Sequence, residues 1–498
     1  MKKISFKNFR TLLAGLLVAG SIIPHLPAAQ AATYTPTAKV SFVFDDGPTN
    51  TYTLAAPTLA KYGFVGTSAI ITGCVGMTTT PNTCAADGTV PYMTWSQISE
   101  LQNTYNWEIA SHSVTHPLLA TATPKLTEQQ VIQELTQSKS TLQANGFNAV
   151  DFVPPYGDYE PNGHPVLADV AKTYQSMRGF QDTGFNTFPY NDYLLRDQLV
   201  QGSVAVSTLK SYVDTAKANN QWLILTFHDI VPNGASTASD DYQYNQADLD
   251  QIAAYVKSLS LPVVTLSGGL INSTSNLLSN SSFDAAISST TTDVNSWSTD
   301  DPTNIKQDTG NNGSYPSPTN SVSLKATTKD THLFSPQVAI DSTQKYVLKN
   351  FLNVANITSG KISFYIDEYD ANGVWLGGKN YAAETTKFVE NINFEYVPSS
   401  VNVIKARLQV IVAANSGIQA FVDNIQWFSE DTIGTTTPVT PPAQKAGDVN
   451  GDGTVDALDL SIMLTNWSKT ATRAQGDLSS DGTVDALDLS MLLTNWSK

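Results

Sequence analysis

The sequence predicts three folded units in series. They are an α/β unit with a parallel sheet or barrel, an antiparallel β-sandwich, and a small helical unit built on two calcium loops. Three observations predict this. Over 33–272, apolar runs of strand length alternate with amphipathic stretches of helix length. From about residue 273 the composition turns to Ser, Thr and Asn, with short period-2 runs between Gly and Asn turns. Over 446–498 a motif at 447–460 recurs at 476–489. A chain of 498 residues that is 41% apolar and 14% charged suits such a multidomain globular protein.

Residues 1–32 read as a signal peptide. Lys2, Lys3, Lys7 and Arg10 form a basic start, 12–23 an apolar run, and Ala29-Gln30-Ala31 a small-residue cleavage site. The apolar run is too short for a membrane anchor, so a secreted, extracellular protein is expected. Losing the leader's four positive charges takes the net charge from −16 to −20. Such a surface argues against nucleic acid or an anionic membrane as a partner.

In the α/β unit, strands are expected at 40–44, 66–71, 107–110, 149–153, 222–227 and 262–266, with helices at 127–145 and 246–258. The first strand ends in Phe44-Asp45-Asp46-Gly47-Pro48. Adjacent carboxylates repel and are costly where water is scarce, unless a cation or a proton separates their roles. Next comes Ser111-His112-Ser113-Val114-Thr115-His116, whose imidazoles at i and i+4 would face one way on a helical turn. One Asp and two His leave coordination positions open, the pattern of a catalytic zinc rather than a closed structural one.

These segments, followed in order by Phe152-Val153-Pro154-Pro155-Tyr156-Gly157 and Leu223-Ile224-Leu225-Thr226-Phe227-His228, resemble the NodB-homology polysaccharide deacetylases, carbohydrate esterase family 4. The resemblance spans roughly 33–272. It implies a distorted (β/α) barrel of seven or eight strands. It implies removal of N- or O-linked acetyl groups from a polysaccharide such as acetylxylan, chitin oligomers or peptidoglycan. Zinc, or another divalent metal, would be held by Asp46, His112 and His116. Asp45 would be the general base, His228 the general acid, and the backbone N–H of Tyr156 an oxyanion donor. The chain departs from the family at Val153, where an arginine commonly orients the catalytic aspartate; Arg178 is the candidate replacement. The family's Asp/Trp segment has no clear counterpart either. A second reading is a non-catalytic polysaccharide-binding or assembly protein, which Val153 favours and Asp45 and His228 oppose.

Cys74 and Cys84 lie close together in an exported chain, where a disulfide is the simplest expectation.

Residues 273–430 read as the β-sandwich, with strands at 346–354, 361–367, 402–412 and 418–427. The segments 276–283 and 421–425 resemble jelly-roll carbohydrate-binding modules. Trp297, Trp375, Tyr381 and Trp427 are candidates to stack on sugar rings, against the alternative of core packing. A Thr/Pro spacer follows at 431–445.

In the repeat, oxygen ligands recur at loop positions 1, 3, 5, 7, 9 and 12, with glycine at position 6. They are Asp448, Asn450, Asp452, Thr454, Asp456 and Asp459, then Asp477, Ser479, Asp481, Thr483, Asp485 and Asp488. Each loop runs into an apolar helix. Such paired units resemble type I dockerins, which implies bound calcium and a cohesin-bearing scaffold as partner. Ser479 in place of Asn450 predicts a weaker second site. Ala457-Leu458 and Ala486-Leu487 occupy the positions that, in the family, help choose the cohesin.

Overall fold

The computed structural model describes residues 36–85, 91–159, 166–179, 183–234, 242–271, 273, 275–309, 320–386, 389–433, 447, 449, 455, 457–469, 476–479 and 483–496. The expected signal peptide and most of the expected linker lie outside them.

Strands β1 (Lys39–Phe44), β2 (Thr67–Ile70), β3 (Glu108–Ser111), β4 (Asp151–Phe152), β5 (Ser176–Met177), β6 (Gln198–Leu199) and β7 (Trp222–Phe227) form one sheet, in the order β5-β4-β3-β2-β1-β7-β6. Every pairing is parallel. This is chain order wrapped around a circle, the arrangement of a (β/α) barrel, with a seam between β5 and β6. The segment 192–199 closes that seam. Met177 N–H donates to Asp192 O (2.8 Å), Leu195 N–H to Met177 O (3.1 Å) and Gly179 N–H to Leu195 O (2.9 Å). The same segment then enters β6, which pairs with β7.

The helices are α1 (Ala56–Ala60, entered through a π-helical turn), α2 (Trp95–Asn103), α3 (Glu128–Ala144), α4 (Val166–Thr173), α5 (Val206–Asn219), α6 (Gln246–Ser258) and α7 (Leu266–Gly269). Helices α2 and α3 begin on capping boxes, Thr94 with Gln97 and Thr127 with Gln130. The strands are apolar on both faces because helices or packed chain cover both. Val40, Phe42 and Phe44 pack with Leu223, Leu225 and Phe227 on one side. Val43 packs with Trp222 and Ile224 on the other. The strand expected at 262–266 is reduced to one parallel bridge at Val263, and Leu266 already starts α7. Thr265 explains the early stop: its hydroxyl caps Gly268 N–H and turns the chain into a helix. A two-stranded parallel pair, β8 (Asp229–Val231) and β9 (Gln243–Asn245), follows the end of β7.

The sandwich has two antiparallel sheets. One contains β10 (Ser298–Thr299), β13 (Thr331–Phe334), β14 (Val338–Ala339), β16 (Ile362–Tyr369), β17 (Trp375–Glu384) and β19 (Lys405–Val412). The other contains β11 (Ile305–Asp308), β12 (Ser321–Lys325), β15 (Tyr346–Asn356), β18 (Val389–Tyr396) and β20 (Gln419–Ser429). Alternate residues of the two sheets, including Leu348, Leu352, Phe364, Ile366, Leu408 and Val422, fill the space between them. Trp297 and Trp427 belong to this core, so two of the four candidate sugar platforms are structural.

In the C-terminal unit, α8 (Ala457–Thr465) and α9 (Ala486–Thr494) share one small core of Val449, Val455, Met463, Leu478, Val484 and Leu492. The halves interlock through glycine. A Cβ on Gly476 would sit 2.8 Å from Met463 Cα, and one on Gly447 would sit 3.1 Å from Leu492 Cα. Both glycines also have positive φ.

Under the barrel, Asp151 is fully buried, and its carboxyl is pushed well above the usual range by burial and by the neighbouring Glu108. A carboxyl raised on folding loses stability as pH climbs from its unfolded pKa to its folded one. Asp151→Asn is therefore expected to stabilise the chain at pH 7 by more than about 1 kcal/mol, and to leave it nearly unchanged below pH ~3. Urea unfolding at several pH values measures this, and equal effects at both ends would refute it.

Candidate active site

The site sits at the carboxyl ends of the barrel strands. Asp45 extends β1 by one ladder bond, its N–H donating to Phe227 O (2.9 Å). Asp46 then takes a left-handed backbone (φ +69), as does Gly47 (φ +78). This turn sends the two neighbouring carboxylates to different partners.

Asp45, 1% exposed, meets Arg178 just after β5. One guanidinium nitrogen, Nη2, donates to both carboxylate oxygens, at 2.5 and 2.6 Å. Arg178 is itself fully buried, and its Nη1 also reaches Asp197 (3.4 Å). The cation missing at Val153 thus arrives from the next strand. Val153 keeps a backbone role, because its carbonyl accepts from His112 Nδ1 (2.7 Å). That bond leaves His112 Nε2 facing the site.

Asp46 meets the two imidazoles. Its Oδ1 lies 3.4 Å from His112 Nε2 and 3.4 Å from His116 Nε2, and the two nitrogens are 3.1 Å apart. The three residues are buried, and Asp46 Oδ1 makes no hydrogen bond. A tetrahedral ion with bonds of about 2.0–2.1 Å puts its ligand atoms roughly 3.3 Å apart. The residues therefore fit a divalent metal in spacing and donor type.

The electrostatics agree with ligation. Burial alone would raise Asp46, but the neighbouring imidazoles, His112 foremost with His228 and His116, outweigh it and hold the carboxyl well below its usual range. Burial, helped by His112, pushes His116 down to about 3, so its imidazole is neutral.

The His112–His116 segment is not the helical turn expected from its spacing. It is a tight loop with Ser113 (φ +63) and His116 (φ +58) left-handed. The backbone N–H groups of 114 and 115 are drawn to Glu134 on α3 (2.8 and 2.9 Å). Thr115 Oγ1 also donates to Glu134, and Ser113 Oγ accepts from His116 N–H. Those bonds replace the helical ladder. Sequence reasoning had no signal for Glu134, since a helix-surface glutamate has many ordinary readings.

Tyr156 also has a left-handed backbone (φ +58). Its hydroxyl donates to Ala85 O (2.5 Å), and its ring lies 4.6 Å from that of His116. His228 follows β7, with its pKa lowered by burial, and both Asp46 and Asp45 act on it electrostatically. Tyr242, 41% exposed, lies against the His228 ring at 4.6 Å. Asp229 is tied to Asn50 (3.0 Å).

Cys74 is buried and Cys84 half-buried, and their side chains are neighbours, which keeps the expected disulfide within reach as a proposal. Among the expected calcium ligands, Asp448, Asn450, Asp452, Thr454, Asp456 and Asp481 lie outside the described residues. The position-12 residues accept from different loop positions: Asp459 Oδ1 from Val449 N–H at position 2, and Asp488 Oδ1 from Ser479 N–H at position 3, each at 2.7 Å. Asp477 accepts from Ser479 Oγ (3.3 Å), and Asp485 caps α9. Thr483 precedes that cap.

Residues 32–174 match the polysaccharide deacetylase family, and residues 446–495 the dockerin type I domain. The first match ends before Arg178 and His228. Among solved structures, a family 4 acetyl xylan esterase from Clostridium thermocellum, in complex with cobalt, is 21% identical. It covers 46% of this chain and 92% of its own, with a TM-score of 0.29. The esterase domain of a multidomain xylanase from the Trinervitermes trinervoides hindgut metagenome is 22% identical, over 46% and 88%, with a TM-score of 0.30. A xylan-binding domain from Paenibacillus barcinonensis is 12% identical, over 30% and 90%, with a TM-score of 0.23. No curated protein matches the chain.

With calcium saturating the C-terminal loops, His116→Ala is expected to weaken zinc binding by on the order of 100-fold or more. Competition with a chromophoric chelator reads this. Unchanged affinity would place the metal elsewhere.

Proposed function

We propose, from the polysaccharide deacetylase domain this chain carries, that the protein is a secreted zinc-dependent enzyme removing N- or O-linked acetyl groups from a polysaccharide. One observation carries the reading. Asp45 is fixed on Arg178, apart from but beside the Asp46, His112 and His116 triad.

Asp46, His112 and His116 would hold a divalent cation, which would supply Lewis acidity toward the acyl carbonyl and the attacking water. Asp45 takes the proton from that water, with its oxygens oriented by Arg178. The Tyr156 N–H, presented by a left-handed turn, donates to the developing oxyanion. His228 returns a proton to the leaving amine or alcohol. Because burial lowers its pKa, its protonated form gives that proton up readily.

The non-catalytic alternative drew on Val153. The Arg178–Asp45 pair supports the catalytic reading over it.

The sandwich supports a sugar-binding role through one outer face. Trp375 on β17 is 60% exposed, and its indole N–H donates to Asp367 (3.1 Å). Tyr369 is paired directly across from Trp375, and Asp367 across from Arg407. Aromatic faces flanked by fixed polar groups suit pyranose rings. Tyr381 is instead stacked on Phe394 (5.2 Å). The dockerin presents Leu464, Leu487, Leu493, Trp467 and Trp496 at its surface, exposed apolar side chains of the kind a cohesin could cover. No helix among the described residues is long and apolar enough to cross a membrane.

Acetate release by the zinc-loaded full chain tests the reading, with acetylated xylan, chitin oligomers and peptidoglycan as substrates. Asp45→Asn is expected to lower turnover at least about 1,000-fold, and Arg178→Met about 100-fold, with metal still bound. Full activity in Asp45→Asn would reject the assignment. In affinity electrophoresis, Trp375→Ala is expected to weaken retention by the substrate polysaccharide about tenfold, and undiminished retention would reject that face.

A further inference from the structure

Strand β15 is buried on both faces along its first nine residues. An outer sheet of a free sandwich keeps one face in water. Tyr346, Leu348, Leu352 and Val354 point into the sandwich core. The residues between them enter the barrel domain. Val347 joins Tyr190, Trp222 and Ile271, together with Phe428 from β20. Phe351 joins Phe152, Tyr174 and Tyr193.

Lys349 lies between these two contacts, 7% exposed. Its Nζ donates to Asp192 (2.5 Å) and to Ile271 O (2.9 Å). Asn393, paired with Lys349 across β15 and β18, donates to Tyr190 O. The Phe351 ring stands edge-on to Tyr193 at 5.9 Å. Three sandwich residues therefore hold the segment 190–193.

That segment begins the stretch that closes the barrel seam. Its backbone bonds to Met177 and Gly179 bracket Arg178 on one side, while Arg178 N–H donates to Phe152 O (3.1 Å) on the other. Asp197, further along the same stretch, reaches the Arg178 guanidinium. Arg178 in turn orients Asp45.

We propose that Lys349 of the β-sandwich is a positioning residue for the acetyl-removing site. By anchoring Asp192 it fixes the seam segment, the segment fixes Arg178, and Arg178 fixes Asp45. The sandwich is then part of the catalytic unit rather than a tethered module. The catalytic half of this proposal rests on the deacetylase reading above.

The test uses the zinc- and calcium-loaded full chain and two soluble probes, chitopentaose and an acetylated xylo-oligosaccharide. In Lys349→Met, kcat is expected to fall about 10- to 100-fold with KM within about twofold. Amide exchange at 174–179 and 186–199 is expected to rise at least about tenfold, while 40–60 stays protected. Lys349→Arg keeps the buried charge pair and is expected to recover most of kcat. If Lys349→Met fails to fold, Asn393→Ala, which removes one hydrogen bond, takes its place. A lowered melting temperature with kcat and exchange at 174–179 unchanged would mean a merely structural contact and overturn the proposal. If the wild-type chain releases acetate from neither probe, the deacetylase reading fails for these substrates. The exchange arm then still decides the coupling, and unchanged protection at 174–179 overturns it.

Discussion

The site depends on keeping two adjacent carboxylates apart. Asp45 and Asp46 are both buried, and like charges at that spacing in a water-poor site cannot both stay ionised without separate partners. The left-handed step at Asp46 makes the separation, at the cost of a backbone conformation that non-glycine residues rarely adopt. One carboxylate goes to a guanidinium and the other to two imidazoles. The surrounding architecture serves that division. Strand β3 delivers the histidines, α3 shapes their loop through Glu134, and the end of β5 delivers the arginine.

Much of this was legible in the sequence, because it lies in contiguous motifs at strand ends. The Asp pair, both triad histidines, Tyr156 and His228 each follow an apolar run, and all fall at one end of the barrel. The repeated calcium loops were legible for a related reason, since the same spacing occurs twice. What was not legible depends on through-space placement. The short strands β5 and β6 carry too few residues for any periodicity. Arg178 could be named only as a candidate, because nothing in its local sequence says which carboxylate it meets. The histidine spacing suggested a helical turn, but Glu134, 18 residues beyond His116, draws the loop's amides toward itself. Local spacing alone cannot report such a competitor.

The aromatic candidates of the sandwich show the same limit. Trp297 and Trp427 read like Trp375 in sequence, yet the first two fill the space between the sheets and the third faces solvent. Period-2 alternation tells which residues share a face. It does not tell which face is covered, and here one sheet is covered by the barrel itself.

That covering has a consequence for how a polymer would be handled. With the β15 sheet committed to the barrel, the exposed Trp375 lies on the other sheet, a full sandwich thickness away. A glycan strand gripped there would not feed along a continuous groove into the metal triad. The strand being held and the strand losing its acetyl groups would be neighbours in a bundle, or distant stretches of one chain. Such geometry favours grazing around a fixed foothold over threading along a single strand.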